Sequence, residues 1–428
     1  MVAAKLLNYE LSPSPATVFG CLLPAPWLGA CSGLLLAFGS AQGLPDRFAP
    51  LTLALVHSLV LGMLAPVMIG ALFQLMPVVA GQSVPGAKRI APLVALTSAL
   101  IALGLGLGFL YGEPRGFMLA AVLAALLFGT VALQLMIAGA RVVVVDCSTR
   151  TLRWAGGALL IVVSLGIALA GSLAGLWHPD ILPLLNAHVS WGLLGWTGCL
   201  LLGVASTTVP MFWQTVRPQG WWQRFLPVPF FVILLAAMLP AFWSGALLLG
   251  CLLLAVVAAR ALYAIVRAKR RFDPAWPLWL CSSACWLTAA LLMAWLNLSS
   301  HWNLYVYLQP PLPWLIGVLA LVGGAVMPVN AMLGKIIPFL VFLHLRRQTP
   351  VGRRVPTMQD VLAPAYLRWQ ARLLMLALLL LLLLPLAPQE MAMPAGLVFA
   401  ASQAALAVLL MRALLRYRKE LRSVFLAS

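Results

Sequence analysis

Twelve apolar stretches of bilayer-crossing length succeed one another along this chain, and they restrict it to a helical membrane fold. They are residues 20–43, 51–79, 90–111, 116–140, 153–177, 183–210, 225–243, 245–266, 275–297, 312–343, 366–387 and 394–415. Inside hydrocarbon each backbone N–H and C=O must find a partner within its own segment, so a run of about 20 apolar residues reads as a helix. The eleventh run, around Leu373–Leu384, crosses only if its helix starts near Tyr366 and Arg368 and Arg372 snorkel to the surface. Hydrophobic residues make up 63% of the chain and charged residues 8%, a balance that excludes a soluble domain. Before the first run stand Lys5, Glu10 and two prolines, which do not form a cleavable signal pattern.

The formal net charge of +18 invites a nucleic-acid reading, but the placement of the charge rejects it. Of 27 Lys and Arg, 24 fall in the two tails, in the loops after spans 2, 4, 6, 8 and 10, or in the span ends that adjoin them. The opposite loops hold only Arg47 and Arg115, and Lys335 lies within a span. That asymmetry is the positive-inside pattern and predicts both termini in the cytoplasm, with anionic lipid as the partner of the basic loops. No base-reading or stacking pattern accompanies it, so no nucleic-acid partner is expected.

One pattern occurs three times. Gly62, Gly70 and Pro77 recur as Gly195, Gly203 and Pro210, then as Gly323, Ala331 and Pro338. In each copy a glycine stands 15 residues before the proline and a small residue stands 7 before it. The copies are 133 and 128 residues apart, on spans 2, 6 and 10. Small residues let helix backbones approach, and repeated multi-helix units are a common membrane architecture. The expectation is an all-α polytopic protein, 1–428 as one transmembrane domain. Its twelve helices form three pseudo-repeats of four, about 20–140, 153–266 and 275–415, with spans 2, 6 and 10 in equivalent places. The longest polar connection, about Arg346–Pro364, carries Pro350, Pro356 and Pro364 and reads as an extended surface segment.

Chemistry, if any, must come from polar groups inside the membrane. His57 lies 20 residues before Pro77 and His188 lies 22 before Pro210. At 1.5 Å per residue both are about 30 Å from the cytoplasmic prolines. They therefore share a depth near the periplasmic face, on equivalent helices. Two neutral imidazoles so placed suit an iron or copper ligand set, or else they hydrogen-bond to neighbouring helices. His344, six residues beyond Pro338, belongs at the opposite face beside Lys335 and Arg346. There it suits an anionic ligand or a snorkelling cluster. His178 and His301 fall in periplasmic connections beside Trp177 and Trp302, as belt residues or as lesser contributors to the site of His57 and His188. Gln74, Thr207 and Lys335 each stand three residues before the repeated proline and form a polar ring by symmetry. That ring either lines a proton or solute path or satisfies backbone groups that the prolines free. No carboxylate falls within a span, which weakens a proton-coupled transporter. The seven cysteines lack Cys-x-x-Cys spacing and read as apolar fillers, with only Cys281 and Cys285 sharing a helix face.

Twelve spans in three groups of four, with ligand candidates on the second helix of a group, resemble the catalytic subunit of the heme-copper oxidases. The segments are more similar still to divergent relatives such as the NnrS-type membrane proteins. The matching stretches run from His57 to Gly62 and Gly70 to Pro77, from His188 to Gly195 and Val209 to Phe212, and from Met332 to His344. The resemblance implies an oxidase-like scaffold in a bacterial inner membrane, with His57 as a heme ligand and His188 as a metal ligand, the cofactor being heme or copper. It implies a role in respiration, nitrogen-oxide stress or heme and copper handling. Span 7 has no histidine, and span 10 carries Trp314, Ile316 and Val318 where an oxidase has its His-x-His. Oxygen reduction is therefore not implied. The alternatives are a small-solute permease working between spans 2, 6 and 10, and a non-catalytic accessory subunit of a respiratory complex.

Overall fold

The computed structural model describes residues 8–217, 219–299, 311–350 and 354–425. Among them every regular element is helical, and eleven helices are long and apolar enough to cross a membrane. They are α1 (Pro15–Phe38), α2 (Pro50–Ala80), α3 (Ala87–Tyr111), α4 (Pro114–Ala140), α5 (Cys147–Leu173) and α6 (Ile181–Trp213). After a short α7 (Val228–Ala236) follow α8 (Pro240–Val266), α9 (Trp276–Ser299), α10 (Pro311–Gln348), α11 (Pro364–Leu386) and α12 (Pro388–Ser423).

The helices begin and end where the sequence supplies the chemistry. Asp146 and Thr149 form a capping box at the start of α5, the Asp146 carboxylate accepting from the Thr149 N–H at 2.8 Å. Gly81 ends α2 with φ +68°, a left-handed cap that a β-carbon would strain. Helix packing is set by small residues. A Cβ on Gly33 of α1 would lie 2.6 Å from the Ala400 nitrogen, and one on Gly396 of α12 would lie 2.5 Å from the Ala37 nitrogen. The first and last helices thus touch backbone to backbone.

The seventh expected span is not one continuous helix of crossing length. Within residues 225–243 the longest helix is the nine residues of Val228–Ala236, about 13.5 Å long and under half of a bilayer core. Pro227 and Pro229 confine the start of this helix and Pro240 opens the next element. Each removes an N–H donor and crowds the preceding turn. The segment folds back on α8, where a Cβ on Gly250 would stand 3.3 Å from Ile233 Cγ2.

Contacts between sequence-distant segments gather many loops at one end of the assembly. The Asn8 N–H donates to the Val78 carbonyl at 3.0 Å, and the Arg270 N–H donates to the Trp213 carbonyl at 3.3 Å. Arg347 donates to the Tyr9 carbonyl, and Arg416 donates to the Asp360 carbonyl. The described ends of the chain and the last turns of α2, α6, α8 and α10 therefore share one face.

Helices α2, α6 and α10 carry a feature the sequence did not announce. Each contains a π-helical segment: Val60–Leu64, Trp191–Gly198 and Leu319–Val326. Such segments are rare and are frequently found at functional sites. The first glycine of each sequence copy (Gly62, Gly195, Gly323) falls inside its π segment. These glycines are also close-approach points. A Cβ on Gly195 would lie 2.6 Å from the Trp191 ring, and one on Gly323 would lie 2.4 Å from Cys285 Sγ.

Candidate functional site

His57 lies on α2 just before the π segment, and His188 lies on α6 three residues before its own. Their ring centroids are 6.4 Å apart and their planes differ by 11°. The Nδ1 atom of His57 is 2.8 Å from the Leu53 carbonyl one turn back, and that of His188 is 3.1 Å from the Val162 carbonyl on α5. A carbonyl only accepts, so each neutral ring carries its proton on Nδ1 and keeps the lone pair of Nε2 free. Backbone carbonyls that hold the second nitrogen are the usual orienting partners of ligating histidines.

The surroundings are apolar. Phe109 packs 5.1 Å from the His57 ring and is itself braced edge-on by Phe117 at 5.2 Å. Gly166 makes room for His188: a Cβ there would stand 3.0 Å from its Cε1. Both imidazoles are half-buried. Among the described residues no group of three or more His, Cys, Asp or Glu could hold a metal ion, so the donor set is this pair alone. His178 is exposed in the connection after α5. His301 lies outside the described residues.

His344 stands apart, at the other end of α10. The Gln348 amide donates to its Nε2 at 3.3 Å, and its Nδ1 is 2.6 Å from the Tyr417 hydroxyl on α12. Both ring nitrogens are thereby occupied by protein.

Between the His pair and that end, α2, α6 and α10 enclose a cavity of about 120 Å³. Its walls are Leu64 to Val79, Thr197 to Phe212 and Ala325 to Leu340, with Tyr9 at the loop end. The π segments sit between this cavity and the histidines. Of the expected polar ring, Gln74 and Thr207 line the cavity and Lys335 does not. Gln74 Nε2 donates to Ser12 Oγ at 2.8 Å, and Thr207 Oγ1 is 2.6 Å from Ser148 Oγ. Lys335 turns away and pairs with Asp273 from the loop between α8 and α9. An apolar cavity offers an ammonium no partner, whereas Asp273 supplies a full counter-charge.

Sequence reasoning missed the hydroxyl cluster beside the cavity. Ser148 donates to the Gly203 carbonyl at 2.6 Å and lies 2.7 Å from Ser206 Oγ. It also missed that Asp273, correctly placed in a loop, reaches back to a membrane helix. The basic offset of Lys335 hinted at a partner, but nothing in the spacing named it.

No family model matches this sequence, and neither does any curated protein.

Proposed function

We propose that this chain is an oxidase-like membrane protein that binds heme or a copper or iron ion through His57 and His188. One observation carries the reading: two parallel imidazoles 6.4 Å apart, each with Nδ1 on a backbone carbonyl and Nε2 free. His57 and His188 would hold the group through their free Nε2 atoms; two neutral imidazoles suit a heme iron or a copper or iron ion and fall short of the four ligands of a closed zinc site. A bound iron or copper would supply redox or diatomic-ligand chemistry. The protein's share is orientation by Leu53 and Val162 and exclusion of water by Phe109. Without further histidines the site is not proposed to reduce oxygen or nitric oxide.

The scaffold reading adds a twelfth crossing, supplied in broken form by α7 and its flanks. Trp222 stacks 5.7 Å from the Arg260 guanidinium, and from there the chain runs beside α8 back to its start. Residues 243 to 260 of a helix rise about 26 Å, so the broken segment covers most of a bilayer core. Twelve crossings then give three groups of four. The shared π segments of α2, α6 and α10 support that division, and the basic end is assigned to the cytoplasm.

The test is an absorption spectrum with metal analysis on detergent-purified protein from heme-replete cells. A Soret band or a stoichiometric metal, reduced in His57→Ala and in His188→Ala, is the expected result. A colourless, metal-free protein would overturn the reading. It would favour a second one, passage of a small apolar solute through the cavity between α2, α6 and α10, read by uptake into proteoliposomes.

A further inference from the structure

A second donor pair lies on α9, independent of the histidines. Cys281 Sγ and Cys285 Sγ are 4.0 Å apart, one helical turn from each other. Cys285 is buried and Cys281 is partly exposed, five residues from the start of α9 at Trp276. That start belongs to the basic end of the assembly, next to Asp273 and Lys335.

The helix carrying the thiols is held firmly. Ser282 Oγ and Trp286 Nε1 both donate to the Gly324 carbonyl, at 3.1 and 2.8 Å, and Gly324 lies in the π segment of α10. Gly323 closes over Cys285 so tightly that a single β-carbon would fall 2.4 Å from its Sγ. The glycine shared by the three sequence copies thus makes room for this sulfur.

The spacing selects among thiol chemistries. Residues four apart on a helix have Cβ atoms about 5–6 Å apart, whereas a disulfide needs about 3.5–4.5 Å. A disulfide therefore requires the helix to distort. Structural zinc requires four ligands, and no third Cys, His, Asp or Glu joins the pair among the described residues. Two metal–sulfur bonds of about 2.3 Å span up to about 4.6 Å, so a 4.0 Å gap closes over one ion with side-chain motion alone. A two-thiol site suits a soft d¹⁰ cation content with two ligands.

We propose that Cys281 and Cys285 form a two-coordinate thiolate site for Cu(I), entered from the basic end. Two S–H bonds break and two S–Cu bonds form. The two protons leave at the same end, and copper arrives and stays as Cu(I), so no electron moves. The site stands apart from the histidine pair and does not depend on it.

The experiment is an anaerobic titration of the reduced, full-length protein with Cu(I) against a chromophoric Cu(I) chelator, followed by X-ray absorption at the copper edge. The native protein should hold one equivalent with sulfur ligation, distinct in its X-ray absorption from any nitrogen-bound copper on the histidine pair. Loss of a second-shell group already weakens metal sites by 10–100-fold, so Cys281→Ser and Cys285→Ser should each weaken binding at least about 100-fold. His57→Ala should leave this sulfur-bound ion in place, and a monodisperse elution profile with a native melting curve checks that the serine variants fold. Unchanged binding in both serine variants, copper without sulfur neighbours, or an ion lost in His57→Ala but kept in Cys281→Ser would each overturn the proposal.

Discussion

Replacing Asp273 by Asn isolates the Lys335 ammonium on a membrane helix, and the structure sets the cost. The carboxylate serves two partners, accepting from the Ala275 N–H at 3.0 Å and from the Lys335 ammonium. The side chains of Lys335 and Asp273 are 16% and 12% exposed. Removing one partner of a fully buried pair costs about 3–5 kcal/mol, while an exposed pair is worth about 0–1. Exposures this low place Asp273→Asn nearer the buried limit, at about 2–3 kcal/mol. Lys335→Met in the same chain removes the orphaned charge. Replacing both members of a buried pair is often neutral, so the double variant should recover about 2 kcal/mol. Unfolding in mixed detergent micelles, followed by tryptophan emission, reads all four corners of the cycle. A single variant within about 0.5 kcal/mol of native, or a double variant no more stable than Asp273→Asn, would refute the assignment of the pair as a structural clamp.

Three further outcomes are expected. Gly203→Leu should destabilise by about 1–3 kcal/mol in the same assay, because its first added carbon would lie 2.4 Å from Thr151 Cβ; Gly106→Leu, with open space around it, should be neutral. With all native cysteines replaced by alanine, Asp180→Cys should react with an impermeant maleimide from outside, and Arg271→Cys and Lys419→Cys only after permeabilisation. Reaction of Arg271→Cys from outside would remove the crossing assigned to α7. The Asp360 carboxyl is held below the usual carboxylate value by the Thr357 N–H and hydroxyl, each at 2.8 Å, with Arg354 and Arg416 adding to the effect. A depressed folded value means its contribution is complete above about pH 3.9 and is lost as pH falls through the lowered value. Amide exchange across Met358–Val361 should accelerate in that window, and Asp360→Asn should abolish the step.

The parts of the fold set by hydrophobic length were legible. Eleven of the twelve apolar runs are helices of crossing length, and the closeness of His57 and His188 was legible in their similar offsets to Pro77 and Pro210, 20 and 22 residues. The break within the run 225–243 was not legible because hydropathy ignores the backbone: Pro227, Pro229 and Pro240 are apolar by composition but interrupt the hydrogen-bond ladder. The polar ring failed at Lys335 for a different reason. Equal spacing from a proline fixes a residue's height but not the face it takes, and at Lys335 the nearest carboxylate decided the face. The hydroxyl cluster around Ser148 joins residues 55 to 59 positions apart, a contact that no local pattern encodes.

The π segments set the angular relation between the two halves of each patterned helix. A π turn holds one residue more than the α turn it replaces, and one residue is about 100° of rotation. Deleting a single residue from Val60–Leu64, or from Trp191–Gly198, would let that helix revert to an uninterrupted α ladder. The wider turn takes up the extra residue, so the end bearing the histidine would keep roughly its heading relative to the cavity wall below. A one-residue deletion in the regular α turn between either histidine and its π segment would instead turn the imidazole by about 100° toward a different neighbour, and the π segment would be left with no phase to absorb.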